Sequence, residues 1–422
     1  MDTNDIQISL PASKSLSNRW LMVNYLMEGC FVLKNLSSSD DTRLMQRLLR
    51  QLRQGTDTFY YCANAGTVAR FLMALLSITP GTHLLSGDER LHQRPMRDLV
   101  AALRDLGLCV LVSSDEDELP IQIIGGLPQR KRVSVQASQS SQFASALMLL
   151  GLGMPSGITV NMVGRIASRP YVDMTAGVLR QAGAQVSLSP NGHTYMVGPR
   201  PQRQGKTVVT IENDWSAASY FYTMAALCPG IRIRLRTLSL DSCQGDRVVN
   251  QLFAGLGVRS QQVRSPYRSA VRSLTLSAVA PPDKHFAYNF NDCPDLLPTL
   301  AVACAALGVD AHLRGIRNLR LKETDRVNAV AAELSRMGCR VEVNDDAMHL
   351  LPSELRPVEQ VRTHGDHRMV MAFAPLQLRF PDLRFDHPEV VSKSFPDFWE
   401  QFQKVRQWVD SKSVISHEPA SR

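Results

Sequence analysis

Five short polar clusters head apolar segments of this chain. LPASKSLSNR carries Lys14, Ser15 and Arg19. NAGT carries Gly66, QSSQF carries Ser140, Ser141 and Gln142, a Pro-Asp pair carries Asp295, and GDHR carries His367 and Arg368. An apolar segment headed this way reads as a helix whose free N–H groups and positive dipole end face the polar residues. Several such starts converging on one cleft would hold phosphates or carboxylates. Plain capping by Ser, Asn and Asp explains any single start equally well. The neighbouring cations Lys14, Arg19 and Arg368 favour an anion site.

A second set accompanies more polar segments: Arg94 in QRPM, Ser168 and Tyr171 in ASRPY, and Asn318, Lys322, Glu323 and Arg326 in NLRLKETDR. If a helix begins by Lys322, then Lys322 and Arg326 share a face and Glu323 is offset. A capping Thr324 followed by solvated charges is the plainer reading of KETDR alone. Lysine is scarce beside arginine, yet Lys14, Lys322 and Lys393 each fall in a cluster. Lysine can bind a phosphate and also pass on a proton when its pKa is lowered, which arginine does poorly.

The elements that would position these residues recur. Almost wholly apolar helices are expected at SNRWLMVNYLMEG, TVARFLMALLS, SQFASALMLLG, SAASYFYTMAAL, PDLLPTLAVACAAL and DHRMVMAFAPLQL. They belong inside a domain. Amphipathic helices alternate with them, five ending at Gly, a C-cap signal: DDTRLMQRLLRQLRQG, RPMRDLVAALRDLG, RPYVDMTAGVLRQAG, GDRVVNQLFAGLG and ETDRVNAVAAELSRMG. FPDFWEQFQKVRQW is a sixth without the Gly. Short alternating strands such as AQVSL and CRVEV follow. The chain therefore reads as an α/β protein of six repeated units, three per domain. Only TDTFYYCA separates Gly55 from NAGT, so the first unit is expected to lack a β-hairpin. The polar stretch from Ser411 to Arg422 reads as a disordered tail.

A chain of 422 residues with 44% hydrophobic and 20% charged residues suits a globular protein of two domains. The start lacks a signal-peptide pattern and no stretch is long enough for a membrane span. The eight cysteines form no CxxC pair, so a reducing, cytoplasmic setting is expected and no metal-ligand spacing is visible. A net charge of +8 suits anionic partners. Few aromatics and dispersed basic residues argue against nucleic acid.

In order along the chain, LPxSKSxSNR, NAGT, RPM, SSQF, SxPY, PD, KETDR, DHR and KxFPDF resemble the 5-enolpyruvylshikimate-3-phosphate synthases of the enolpyruvyl transferase family. Each piece is weak, but the ordered set is specific and spans nearly the whole chain. The resemblance implies two similar domains, each of three βαβαββ units, with the active site between them. Two chain crossings would then divide residues 12–212 from residues 1–11 plus 213–422. It also implies transfer of the enolpyruvyl group of phosphoenolpyruvate to the 5-hydroxyl of shikimate 3-phosphate, with release of phosphate, by a monomer needing no cofactor or metal.

Carried over by motif, the resemblance puts shikimate 3-phosphate on Lys14, Ser15, Arg19, Ser140, Ser141, Gln142, Ser168, Tyr171, Asp295, Asn318 and Lys322. It puts phosphoenolpyruvate on Lys14, Gly66, Arg94, Gln142, Arg326, Arg368 and Lys393. Asp295 is the expected base and Glu323 the proton donor, with Lys14 and Lys393 at the departing phosphate. His367 is a proton or hydrogen-bond partner, or a structural residue. Phe71 and Ala12 stand where many relatives carry Pro and Gly. The related transferases acting on UDP-N-acetylglucosamine usually carry a cysteine before the Arg-Pro pair; this chain has RLHQRPM. A nucleic-acid-binding protein would not need carboxylates beside its cations. A non-catalytic relative is the remaining alternative, raised by the short first unit.

Overall fold

The computed structural model describes residues 5–112, 118–202, 205–264 and 272–415. Four four-stranded sheets share one strand order. In the first, Phe59–Tyr61 pairs parallel with Gly81–Ser86, which pairs antiparallel with Ile121–Gly125, which pairs antiparallel with Cys109–Val112. The same pattern joins Arg132–Gln136, Ile158–Val163, Thr194–Val197 and Val186–Leu188. It recurs in Ile6–Ile8, Ile233–Arg236, Arg272–Ala278 and Val258–Arg264, and in His285–Asn289, Asp310–Arg314, Ala347–Leu351 and Arg340–Val343.

Two units are reduced to parallel pairs. Phe31–Lys34 pairs with Thr207–Thr210, and Gln360–Val361 pairs with Arg384–Phe385. The first is the unit whose hairpin was expected to be missing. The second was not anticipated: no described strand follows its surface helix, Phe398–Ile415.

The helices divide as their composition dictates. Trp215–Leu227 is buried at every residue, and Gly66–Ile78 and Leu297–Leu307 at nearly every one. After the amphipathic helices, Gly55, Gly107, Gly183, Gly257 and Gly338 all take positive φ, from 62° to 92°. That left-handed turn closes each helix and releases the chain toward the next strand.

The apolar faces form two cores. One gathers Ile8, Leu10 and the buried residues from Trp215 onward; the other runs from Ala12 to Ile211. The chain passes between them twice, and the two passages lie side by side. Ser13 N–H donates to Glu212 O at 2.8 Å, and Asp214 N–H to Pro11 O at 2.9 Å.

The expected tail needs correction. The last helix continues through Ser411 to Ile415. Lys412 lies over the Trp408 ring at 5.9 Å and Ser411 Oγ donates to Trp408 O, contacts that carry the helix past the apolar pattern. Residues 416–422 lie outside the described residues.

Candidate active site

A cleft between the two cores holds about 920 Å³ of space, open solvent included. Cations outnumber carboxylates along it: Lys14, Arg19, Arg94, Lys322, Arg326 and Arg368 against Asp41, Asp214, Asp295 and Glu323.

The wall from the second half is an ion-pair network centred on Arg326, which is 1% exposed. Its Nε donates to Asp366 Oδ2 at 2.7 Å, Nη1 to Asp295 Oδ1 at 2.9 Å and Nη2 to Glu323 Oε2 at 2.7 Å. Arg368 Nη2 donates to Asp295 Oδ2 at 2.7 Å. Burial alone would raise the Asp295 pKa, but Arg368, Lys322 and Arg326 outweigh it and hold the carboxyl well below its usual range. Burial also opposes Glu323, and Arg326, Lys393 and Arg94 hold it down in the same way. Both carboxylates are therefore ionised.

The wall from the first half is different. Arg19 and Arg94 on the lining, and Arg70 beside Gly66 and Gln142, are buried, and none has a carboxylate within ion-pair distance among the described residues. Arg19 donates to Thr175 Oγ1 at 2.7 Å and to the carbonyls of Ser15 and Tyr171. Arg70 donates to Gln142 Oε1 at 2.6 Å and to Pro95 O. Arg94 reaches only Asn64 O, at 3.5 Å, and its Nε has no partner among the described residues. Burial lowers the Arg19 pKa to about 10; burial and then Arg94 push Arg70 well below the usual arginine value. Gly66 makes this crowding possible. A Cβ there would lie 2.6 Å from Arg94 Nη2 and 2.8 Å from Arg70 Nη1.

Several contacts join the walls. Tyr171 OH donates to Asp295 Oδ2 at 3.3 Å, and Arg90 Nη2 donates to Lys322 O at 2.7 Å. Lys393 Nζ donates to Asn64 O at 3.1 Å and lies 3.9 Å from Glu323 Oε1. Lys14 Nζ pairs with Asp41 at 2.9 Å; burial works against its charge, but Asp41 and Glu323 outweigh it and raise its pKa. Burial lowers that of Lys322. His367 is 1% exposed, and neither ring nitrogen has a hydrogen-bond partner among the described residues. Burial, Lys14 and Arg368 push its pKa well down, so it is a neutral imidazole on the cleft wall.

Most of the anticipated residues therefore line one cleft: Lys14, Ser15, Arg19, Gly66, Arg94, Ser141, Gln142, Ser168, Tyr171, Asp295, Lys322, Glu323, Arg326, His367 and Arg368. Ser140, Asn318 and Lys393 lie outside its lining, although Lys393 Nζ stays 3.9 Å from Glu323 Oε1. Ser140 caps the helix Ser141–Leu150, and Asn318 donates to Ser138 O at 3.0 Å. The KETDR reading also changes. Asp325, not Thr324, caps the helix, which begins at Arg326, and Lys322 precedes it in extended backbone. Phe71 is fully buried with the Arg19 guanidinium 5.5 Å from its ring centre, and its helix still starts at Gly66.

Sequence reasoning missed Asp41, Asp214 and Tyr220 on the lining, and Arg70 and Asp246 beside it. Arg70 had a signal: an arginine inside an otherwise apolar helix is costly unless it is used. Asp246 lies in the first turn of a surface helix and is buried. Burial and then Asp295 push its pKa up to about 7.

The family model described as EPSP synthase (3-phosphoshikimate 1-carboxyvinyltransferase) matches residues 5–59 and 54–402. A relative from Bacteroides fragilis (strain YCH46), a 3-phosphoshikimate 1-carboxyvinyltransferase, is 38% identical over 403 residues, covering 94% of each chain. One of the same name from Methanopyrus kandleri is 35% identical over 423 residues, covering 94% of each. Among solved structures, an EPSP synthase from Acinetobacter baumannii matches with a TM-score of 0.74 at 20% identity, covering 95% of this chain and 96% of that one. The chain belongs to the EPSP synthase (3-phosphoshikimate 1-carboxyvinyltransferase) family.

Proposed function

We propose that this chain transfers the enolpyruvyl group of phosphoenolpyruvate to the 5-hydroxyl of shikimate 3-phosphate and releases phosphate. The observation that carries the reading is the pairing of ionised Asp295 and Glu323 with cations drawn from both halves of one cleft. Two anionic substrates need the cations, and addition followed by elimination needs two proton-transfer groups. The two substrates are its partners, and it works as a cytoplasmic monomer. Residues 12–212 form one domain, and the N-terminal strand with residues from 213 onward forms the other.

In the addition, the 5-hydroxyl oxygen bonds to C2 of phosphoenolpyruvate and its proton passes to Asp295. Glu323 gives a proton to C3, which becomes a methyl group. In the elimination, C3 returns a proton to Glu323 and the C2–O bond to phosphate breaks. The proton held by Asp295 leaves with phosphate, beside Lys14 and Lys393. Shikimate 3-phosphate rests on Lys14, Ser15, Arg19, Ser140, Ser141, Gln142, Ser168, Tyr171, Asp295, Asn318 and Lys322. Phosphoenolpyruvate rests on Lys14, Gly66, Arg94, Gln142, Arg326, Arg368 and Lys393.

The substrate itself tunes the acid. Arg94, Lys393 and Arg326 keep Glu323 ionised until the phosphate and carboxylate of phosphoenolpyruvate take up their charge. The pKa of Glu323 then rises and it gains the proton it must donate. Arg326 and Arg368 release Asp295 in the same way.

The test is phosphate release from phosphoenolpyruvate by the purified chain. Release that requires shikimate 3-phosphate is expected. No release, or equal release without shikimate 3-phosphate, contradicts the assignment.

A further inference from the structure

Among the described residues, one cluster of potential metal ligands lies outside the cleft, on the outer face of the sheet containing Asp310–Arg314. Strand register builds it. Asp310 and His312 are two apart and share a face, while Ala311 and Leu313 between and beyond them enter the core. His349 stands opposite His312, His285 opposite Asp310, and Glu342 opposite His349. Three imidazoles and two carboxylates from four strands thus meet on one surface.

The geometry points to a site for one divalent transition-metal ion of the zinc class, with Asp310, His312 and His349 as ligands. The two imidazoles stack with centres 3.9 Å apart and planes 16° apart. Both present Nε2 to the same oxygen, Asp310 Oδ1, at 2.7 Å from His349 and 3.7 Å from His312. The three donor atoms all lie within 4.8 Å of one another. Ligands around a tetrahedral zinc ion stand about 3.3 Å apart, given Zn–N bonds of about 2.0–2.1 Å. His349 must therefore move from Asp310 by about half an ångström, and, because the in-plane lone pairs of stacked rings run parallel, at least one of the two exposed imidazoles must also turn about its χ2 to bring both Nε2 atoms onto one ion. His285 Nδ1 lies 3.2 Å from the other oxygen, Asp310 Oδ2, and can orient that carboxylate from outside.

The donor set names the ion class. Two imidazoles and one carboxylate suit zinc, copper or nickel, whereas magnesium and calcium prefer all-oxygen sites. His312 is half-exposed and His349 about a quarter exposed, so solvent can complete the coordination. None of the three lines the cleft. The ion would clamp Asp310–Arg314 to Ala347–Leu351, neighbouring strands of the second half. The histidines are far apart along the chain, so no sequence spacing reveals them.

The test uses the full chain stripped with a chelator, titrated calorimetrically with zinc chloride, then loaded with copper(II) for electron paramagnetic resonance. The proposal expects one ion per chain, nitrogen hyperfine structure from imidazole, and a melting temperature raised by zinc. His312→Ala and His349→Ala should each weaken zinc binding about tenfold or more. Cys109→Ser with Cys243→Ser, which removes the two exposed thiols, should leave it unchanged. If His349→Ala does not fold, His312→Ala decides alone, since its side chain is half in solvent. No binding, undiminished affinity in His312→Ala, or loss of binding in the thiol variant overturns the site.

Discussion

The two walls of the cleft carry arginines of opposite design. Arg326 and Arg368 in the second half are neutralised by Asp295, Glu323 and Asp366. Arg19, Arg70 and Arg94 in the first half are buried with carbonyls, hydroxyls and an amide as partners. A buried cation without a counter-charge is costly, and an incoming anion removes that cost. A buried carboxylate between arginines is already satisfied, and its proton affinity depends on where those arginines point. Under the proposed function, the first wall serves anion capture, while the second shares in holding phosphoenolpyruvate through Arg326 and Arg368 and also carries the proton-transfer groups.

The largest effect that sharpens this contrast is on turnover. Asp295→Ala and Glu323→Ala should each lower kcat by about 10²–10⁴-fold, the usual contribution of a general acid or base. Calorimetry should show shikimate 3-phosphate binding largely kept, with a modest loss for Asp295→Ala. Near-normal turnover in both variants breaks the assignment of roles while leaving the family untouched.

Stability separates the walls next. Arg326→Ala strands three carboxylates in a buried site and should cost about 3–5 kcal/mol in urea unfolding. Arg94→Ala removes a cation with no ion-pair partner and should cost far less. Its loss should appear instead as a KM for phosphoenolpyruvate raised about 10–100-fold, the worth of a hydrogen bond to a charged group. Equal stability losses at the two positions would erase the distinction between the walls.

The smallest effect is a pH dependence. Asp246 keeps its proton up to about pH 7 in the folded chain, against 3.8 as a free side chain. The folded state binds that proton more tightly, so its contribution is full below the free value and is lost as pH rises through 7. Asp246→Asn should therefore gain thermal stability relative to the parent between about pH 4 and pH 7. A constant difference across that range would place the carboxyl elsewhere.

Much of this is legible in the sequence because the signals are local. Helix starts such as those at Lys14, Gly66 and Ser141 announce themselves by a polar cap before an apolar run. The glycines that close the surface helices are equally plain. The register of the sheets, which joins His312 to His349, depends on pairing between distant strands and leaves no mark in spacing. The balance of the network around Arg326 was also hidden. Which carboxylates reach a buried guanidinium depends on how Asp366, Glu323 and Asp295 pack around one helix start. The helix through Ile415 escaped because Lys412 and Ser411 secure it by contacts on Trp408, where polarity alone suggested a loose end.

In the proposed mechanism, protonation of C3 of phosphoenolpyruvate by Glu323 follows from anion capture. It is tested most directly in D₂O, by following deuterium entry at C3 in the parent and in Glu323→Gln. The parent should place deuterium at C3 only when shikimate 3-phosphate is present, and Glu323→Gln should bind both substrates yet lose nearly all exchange. Undiminished exchange in Glu323→Gln, or phosphate release by the parent with no deuterium at C3, would contradict the account.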